Sequence, residues 1–103
     1  MAEFTKKLKA REYRLKRRYG ITNDDYNKML KEQGGGCFIC GNKPKEGKYL
    51  QVDHRHGSNP IFIRGLLCYF CNRYLVRHMD KKSRVKGLIK YLNKALKEDR
   101  NWK

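Results

Sequence analysis

The chain has no long apolar run. No stretch approaches the roughly 20 apolar residues that cross a bilayer. The first segment, MAEFTKKLKAREYRLKRRY, is charged throughout, whereas a secretory leader carries about 7–15 apolar residues in a row. Neither a membrane span nor export through a leader is expected, so an intracellular location with reduced thiols is. Cysteine is missing outside two C-x-x-C pairs, and none is left over. A secreted disulfide framework is the alternative for such pairs, but in a reducing compartment they favour zinc. The sequence has no internal repeat beyond the pairs and no linker long enough to separate two domains. One domain over residues 1–103 is therefore expected, small enough to need a staple such as a metal.

Acidic residues are scarce. Ten Asp and Glu stand against 26 Lys and Arg, for a net charge of +16. So positive a body is expected to bind a polyanion, with DNA as the partner. An anionic membrane is set aside, because no helix carries the bulky apolar face that interfacial docking needs.

What is present centres on Cys37 to Asn72, which reads CFIC-GNKPKEGKYLQV-DHRH-GSNPIFIRGLL-CYFCN. Ahead of it, residues 1–19 pattern as a helix with Phe4, Leu8, Leu15 and Tyr19 on one narrow face and Lys and Arg on most others. That is either an arm along phosphates or a solvated helix that packs weakly. Gly20 stops it. Thr22 is placed to cap a second helix, whose Asn23, Asp24 and Asp25 suit a positive dipole end and whose Tyr26, Met29 and Leu30 form a buried face. The glycines at 34–36 end it. The expected layout is a basic arm and packing helix over residues 1–36, a zinc-bound core over 37–78 and an amphipathic helix over 79–103.

Cys37 and Cys40 can grip one ion, and Gly41 lets the chain turn around the sulfurs. Residues 42–48 read as loop, Tyr49 to Val52 as a short strand, and Ile61 to about Leu66 as its partner. Cys68 and Cys71 open a helix through about His78. Asp80 or Ser83 is placed to cap the last helix, where Val85, Leu88, Ile89, Leu92 and Leu96 form a stripe and Lys86, Lys90, Lys94 and Lys97 lie off it.

Two metal sites are expected. Cys37, Cys40, Cys68 and Cys71 would share one structural Zn²⁺. Asp53 and Asn72 offer hard oxygens that suit Mg²⁺ or Mn²⁺. His54 is the general base for water attack on a phosphodiester, since imidazole titrates near neutral pH. One difficulty follows: in a regular strand Asp53 and His54 face opposite ways, so a bulge or strand end is needed to bring both to one phosphate. His56 has three candidate roles, assisting with the metal, orienting His54 or contacting phosphate. Arg64 and Arg73 are candidate phosphate clamps, and His78 is a helix-end residue. A non-catalytic zinc-stabilised nucleic-acid-binding module explains the charge and cysteines equally well, but not Asp53, His54 and Asn72.

Several motifs together resemble the recombination endonuclease VII family of bacteriophages, within the broader His-Me finger (HNH-like, ββα-metal) nucleases. They are Tyr19-Gly20-Ile21-Thr22 with Tyr26, Cys37-x-x-Cys40-Gly41, Val52-Asp53-His54-x-His56, Arg64-Gly65-Leu66-Leu67-Cys68 and Cys71-Asn72-Arg73. The resemblance covers about residues 13–96. It implies a small α+β fold with a zinc-stapled ββα-metal core between flanking helices. It also implies zinc on all four cysteines, a catalytic ion on Asp53 and Asn72, and His54 as base. Duplex or branched DNA is the implied substrate, in the host cytoplasm if the gene is a phage's. Nicking, double-strand cutting and junction resolution stay open, as do monomer and homodimer. Two departures bear on substrate contacts: Arg55 stands where an acidic residue is usual, and the loop from Gly57 to Ile63 is longer.

Overall fold

The computed structural model of the chain describes residues 2–55, 57, 59–99 and 101, with side chains from residue 6 onward. His56, and Phe4 as a member of the apolar stripe, lie outside the described residues and side chains. The order is α1 (Ala2–Tyr19), α2 (Asn23–Glu32), β1 (Gln51–His54), β2 (Ile63–Leu67), a π-helical segment (Cys71–Val76) running into α3 (Arg77–Met79), and α4 (Lys82–Glu98). β1 and β2 form one antiparallel hairpin.

The N-terminal half follows the sequence closely. Gly20 ends α1 with φ +71°. Thr22 closes a reciprocal cap: the Asp25 amide donates to Thr22 Oγ1 at 3.1 Å, and the Thr22 amide donates to Asp25 Oδ2 at 2.9 Å. That amide bond, followed by the hydroxyl bond, holds the Asp25 carboxyl below its ordinary range. Tyr26 is buried, and its hydroxyl donates to the Leu50 carbonyl at 2.6 Å, which ties α2 to the strand region. The later part of α1 is anchored. Leu15 is buried, and Arg11 stacks on the rings of Tyr26 and Tyr49, 4.3 and 3.9 Å from their centroids, while donating to Asn23 Oδ1 at 2.7 Å.

The buried core is small: Leu15, Tyr26, Leu50, Val52, Leu66 and Leu67 with the thiols of Cys37 and Cys71. Two of the four cysteines, Cys37 and Cys71, are thus part of the core itself, with Cys68 packed against it and Cys40 exposed. Gln33 at the end of α2 substitutes for a third strand. Its amide donates to the Leu66 carbonyl at 2.9 Å and its oxygen accepts from the Leu66 amide at 2.9 Å, which satisfies an edge of the hairpin.

Two expectations are corrected, and the last helix adds an observation. Both strands sit about two residues later than their sequence pattern, because pairing runs Gln51↔Leu67 to His54↔Ile63 and leaves Tyr49, Ile61 and Phe62 exposed outside it. Neither Asp80 nor Ser83 caps α4. Lys81 holds that position without a side-chain cap, while Asp80 accepts from Arg64 instead. Finally, the α4 stripe is uncovered in this chain: Val85, Leu88, Ile89 and Leu96 are all exposed. The radius of gyration of 16.8 Å reflects helices reaching beyond the core, since about 13 Å would suit a compact body of this length.

Gly36 sits where the glycine run meets the first cysteine pair. A Cβ there would collide with the Gly41 carbonyl and lie 3.2 Å from the Asn42 oxygen. Gly36→Ala is therefore expected to lower stability by about 1–3 kcal/mol, as overpacking does. The check is urea unfolding of the zinc-loaded protein alongside the wild type.

Candidate metal centre and active-site cleft

The cysteine site is built by two knuckles. In the first, the Cys37 amide donates to the Asn42 carbonyl and the Gly41 amide to the Cys37 carbonyl, each at 2.9 Å. Gly41 has φ +77°, the conformation that its place behind the second cysteine predicted. In the second, the Asn72 amide donates to the Cys68 carbonyl at 3.0 Å and the Cys71 amide reaches Cys68 Sγ at 3.4 Å. The Phe38 amide donates to the Leu66 carbonyl at 3.1 Å and joins the first knuckle to β2.

All four sulfurs lie within 4.8 Å of one another, and the Cys40 and Cys68 sulfurs are 3.8 Å apart. That is no disulfide, whose sulfurs bond at about 2.05 Å. It is the spacing of two ligands on one tetrahedral ion, since Zn–S bonds of about 2.3 Å put sulfurs about 3.8 Å apart. Burial would raise the Cys37 thiol, but the backbone amides of Cys40, Cys68 and Ile39 outweigh it and bring it down to about 6. Cys71 moves up, through burial first and then its bonds to the other three thiols. The donor set, spacing and burial fit a structural zinc site, and Cys37, Cys40, Cys68 and Cys71 would hold the ion.

Beside it lies a cavity of about 340 Å³ lined by Tyr19, Val52, Asp53, His54, Asn72, Arg73 and Arg77. Three of the candidate site residues, Asp53, His54 and Asn72, thus share one cavity. The hairpin explains how neighbouring strand residues manage this. Asp53 pairs with Gly65 but His54 with Ile63, so the register slips at this point, and Arg64 is the extra residue on β2. A bulge or strand end was expected at this place in the chain, and the slip lies between Asp53 and His54. His56 lies outside the described residues, and His78 sits in α3, where its carbonyl accepts from Arg84 at 2.7 Å.

Each side chain is held. Asp53, 6% exposed, takes both arms of Arg64: Nε donates to Oδ2 at 2.7 Å and Nη2 to Oδ1 at 3.1 Å. Nη1 of the same guanidinium donates to Asp80 Oδ1 at 2.7 Å. Arg64 is raised further by these bonds, that to Asp53 first. Asn72 Nδ2 donates to Gln51 Oε1 at 2.7 Å, which fixes the plane of the amide. Tyr19 packs tilted on His54, with centroids 5.8 Å apart. Gln51, Tyr19 and the structural task of Arg64 were not legible in the sequence. The hairpin register, once known, is the signal that would have paired Arg64 with Asp53.

An adjoining cavity of about 420 Å³ shares Tyr19, Val52, Asn72 and Arg73 and adds Arg11, Arg14 and Arg18 of α1. The cationic helix thus leads into the cleft.

Asp53 and Asn72 both line this cavity, and a carboxylate and an amide are donor types that suit a hard divalent ion. Each Asp53 oxygen has a second lone-pair site beyond its guanidinium bond. Removing the arginine would leave a buried carboxylate without its partner. Arg64→Leu is expected to cost about 2–4 kcal/mol, discounted from a fully buried pair because the Arg64 side chain is 28% exposed. Denaturant unfolding checks it.

Comparison with known sequences sets the class. The model of the recombination endonuclease VII family matches residues 12–94, and the chain belongs to that family. Membership implies a nuclease. Among individual relatives, the chain is similar to the Gene 59 protein of Mycobacterium phage L5, 44% identical over 63 residues, which is 61% of this chain and 37% of that protein. The Gene 59 protein of Mycobacterium phage D29 is 42% identical over 65 residues, 63% of this chain and 38% of that protein. The matched part thus spans well under half the length of these relatives. No solved structure matches the chain. No helix among the described residues is long and apolar enough to cross a membrane.

Proposed function

We propose that this chain is a divalent-metal-dependent DNA endonuclease of the ββα-metal (His-Me finger) type that hydrolyses phosphodiester bonds. The observation that supports it is that Asp53, His54, Asn72, Arg73 and Arg77 line one cavity, next to the slip in hairpin register. The catalytic unit is residues 1–103, with a basic arm and packing helix (1–36), a zinc-bound core (37–78) and an amphipathic helix (79–103). It works inside the cell, in the host cytoplasm if the chain is a phage's, as its relatives from Mycobacterium phages suggest.

In this reading His54 accepts a proton from the water that attacks phosphorus in line. Tyr19, packed on the imidazole, limits its tilt. Asp53 and Asn72 would hold Mg²⁺ or Mn²⁺, which when bound supplies positive charge to the scissile phosphate and the leaving oxygen. Arg64 fixes the plane of the Asp53 carboxylate, and Gln51 takes the amide nitrogen of Asn72 so that its oxygen is left for the ion. Arg73 and Arg77 bind phosphate oxygens. His56 is a further candidate beside His54. Arg11, Arg14 and Arg18 guide the backbone into the cleft by sequence-independent attraction.

One observation favours the competing reading of a non-catalytic zinc-stabilised binding module: Arg64 occupies both oxygens of Asp53, as a purely structural pair would. The deciding experiment incubates zinc-loaded protein with supercoiled plasmid and with a synthetic four-way junction, with and without Mg²⁺. Cutting that needs Mg²⁺ is expected. Tight binding without cutting of either substrate overturns the endonuclease.

A further inference from the structure

We infer that the chain carries a second DNA subsite, a basic aromatic cleft that takes an unpaired, unstacked base next to the strand being cut. It rests on the reading that the chain handles DNA and adds a place on this chain where a base is held. The cleft has a volume of about 570 Å³, and Lys43, Lys45, Lys48, Tyr49, Tyr69 and Phe70 are among the residues that line it. That size lies within the roughly 300–1,000 Å³ of ligand sites.

Three features identify the occupant. The first is charge: three lysines and no carboxylate line the cleft, which suits a phosphate-bearing partner. The second is the aromatic surface. Tyr69 and Phe70 are 55% and 59% exposed, so neither serves the core. They are rigidly presented between Cys68 and Cys71, and both lean on Tyr74, with centroids 6.1 and 5.4 Å away. Arg73 sits 5.6 Å from the Tyr69 ring. Exposed rings held in place beside cations are what bases stack on, and a paired base has no free face to offer. The third is continuity. Gln51 lines this cleft and also holds Asn72, so the cleft and the candidate active site meet at one residue.

The test uses His54→Ala protein loaded with zinc and DNA carrying 2-aminopurine in three settings: fully paired, in a one-nucleotide bulge and in a single-stranded tail. Binding alone is read, so no cleavage is needed. Quenching of the bulge or tail probe but not of the paired one is expected. Tyr69→Ala with Phe70→Ala, added to the same protein, is expected to remove the quench and to cut the preference for unpaired over paired DNA by roughly 10- to 100-fold. Phe70→Trp, which keeps a stacking face, is expected to retain both. Zinc content and melting temperature verify that the variants fold. Equal binding of paired and unpaired DNA, or a quench that survives the double alanine change, overturns the subsite. So does a double variant whose mass by sedimentation differs from the parent's, because the rings then face a second copy. Absence of Mg²⁺-dependent cutting by wild type beside a normal quench would remove the endonuclease and leave the subsite standing.

Discussion

His54→Ala is expected to lower Mg²⁺-dependent cleavage by about 10²–10⁴-fold, the contribution of a positioned general base, while DNA binding, zinc content and melting stay near wild type. The geometry makes this separation sharp. His54 lines the cleft at the end of β1, next to the register slip, and is no member of the buried core. Its loss therefore removes the proposed proton acceptor and one face of the contact with Tyr19, and leaves the thiol-centred core in place. Single-turnover rates on a nicked-plasmid substrate, beside filter binding of the same DNA, measure the two effects independently. A variant that cuts at the wild-type rate would show that another group, with His56 the first candidate, takes the proton.

Cys68→Ser is expected to have the largest effect on stability. Cys68 closes the second knuckle through its carbonyl and sulfur, and its sulfur lies 3.8 Å from that of Cys40 in the first. A structural zinc contributes about 10–16 kcal/mol of binding free energy that is also folding free energy, more than a small domain's total stability. With three thiolates the ion is lost or held weakly, and Cys37 and Cys71, which it ties together, are part of the core. The variant should lose its cooperative melting transition and its bound zinc, and a strong chelator should do the same to the wild type. Unchanged melting in a zinc-free Cys68→Ser protein would count against the metal as the staple.

These predictions draw on different parts of what the chain displays. The cysteine pairs were legible because metal ligation needs particular residue types at short local spacing, and two knuckles carry that in four residues each. The Thr22 cap and the Gly20 stop were legible for the same reason: each is decided within a few residues. Strand limits were not, because a strand's ends depend on its partner. Tyr49 and Ile61-Phe62 have good strand propensity, yet the hairpin pairs Gln51–His54 with Ile63–Leu67 and leaves them outside. The cap of α4 failed similarly. Asp80 has the right chemistry for a cap, but Arg64, sixteen residues earlier, claims its carboxylate.

The sequence by itself determined the ligand types, the overwhelming positive charge, the helix boundaries of the N-terminal half and the family to which the chain belongs, because each rests on residue identity or local order. Only the tertiary structure decided which residues share the cleft. The slip at Arg64 between the partners of Asp53 and His54, the Gln51 amide that holds Asn72 and the Arg64 fork on Asp53 all join residues far apart in the chain or depend on strand register. Register follows from the whole hairpin packing over the cysteine centre, with Leu66 and Val52 inward. No local pattern encodes it, since a shift of one residue exchanges the two faces of a strand.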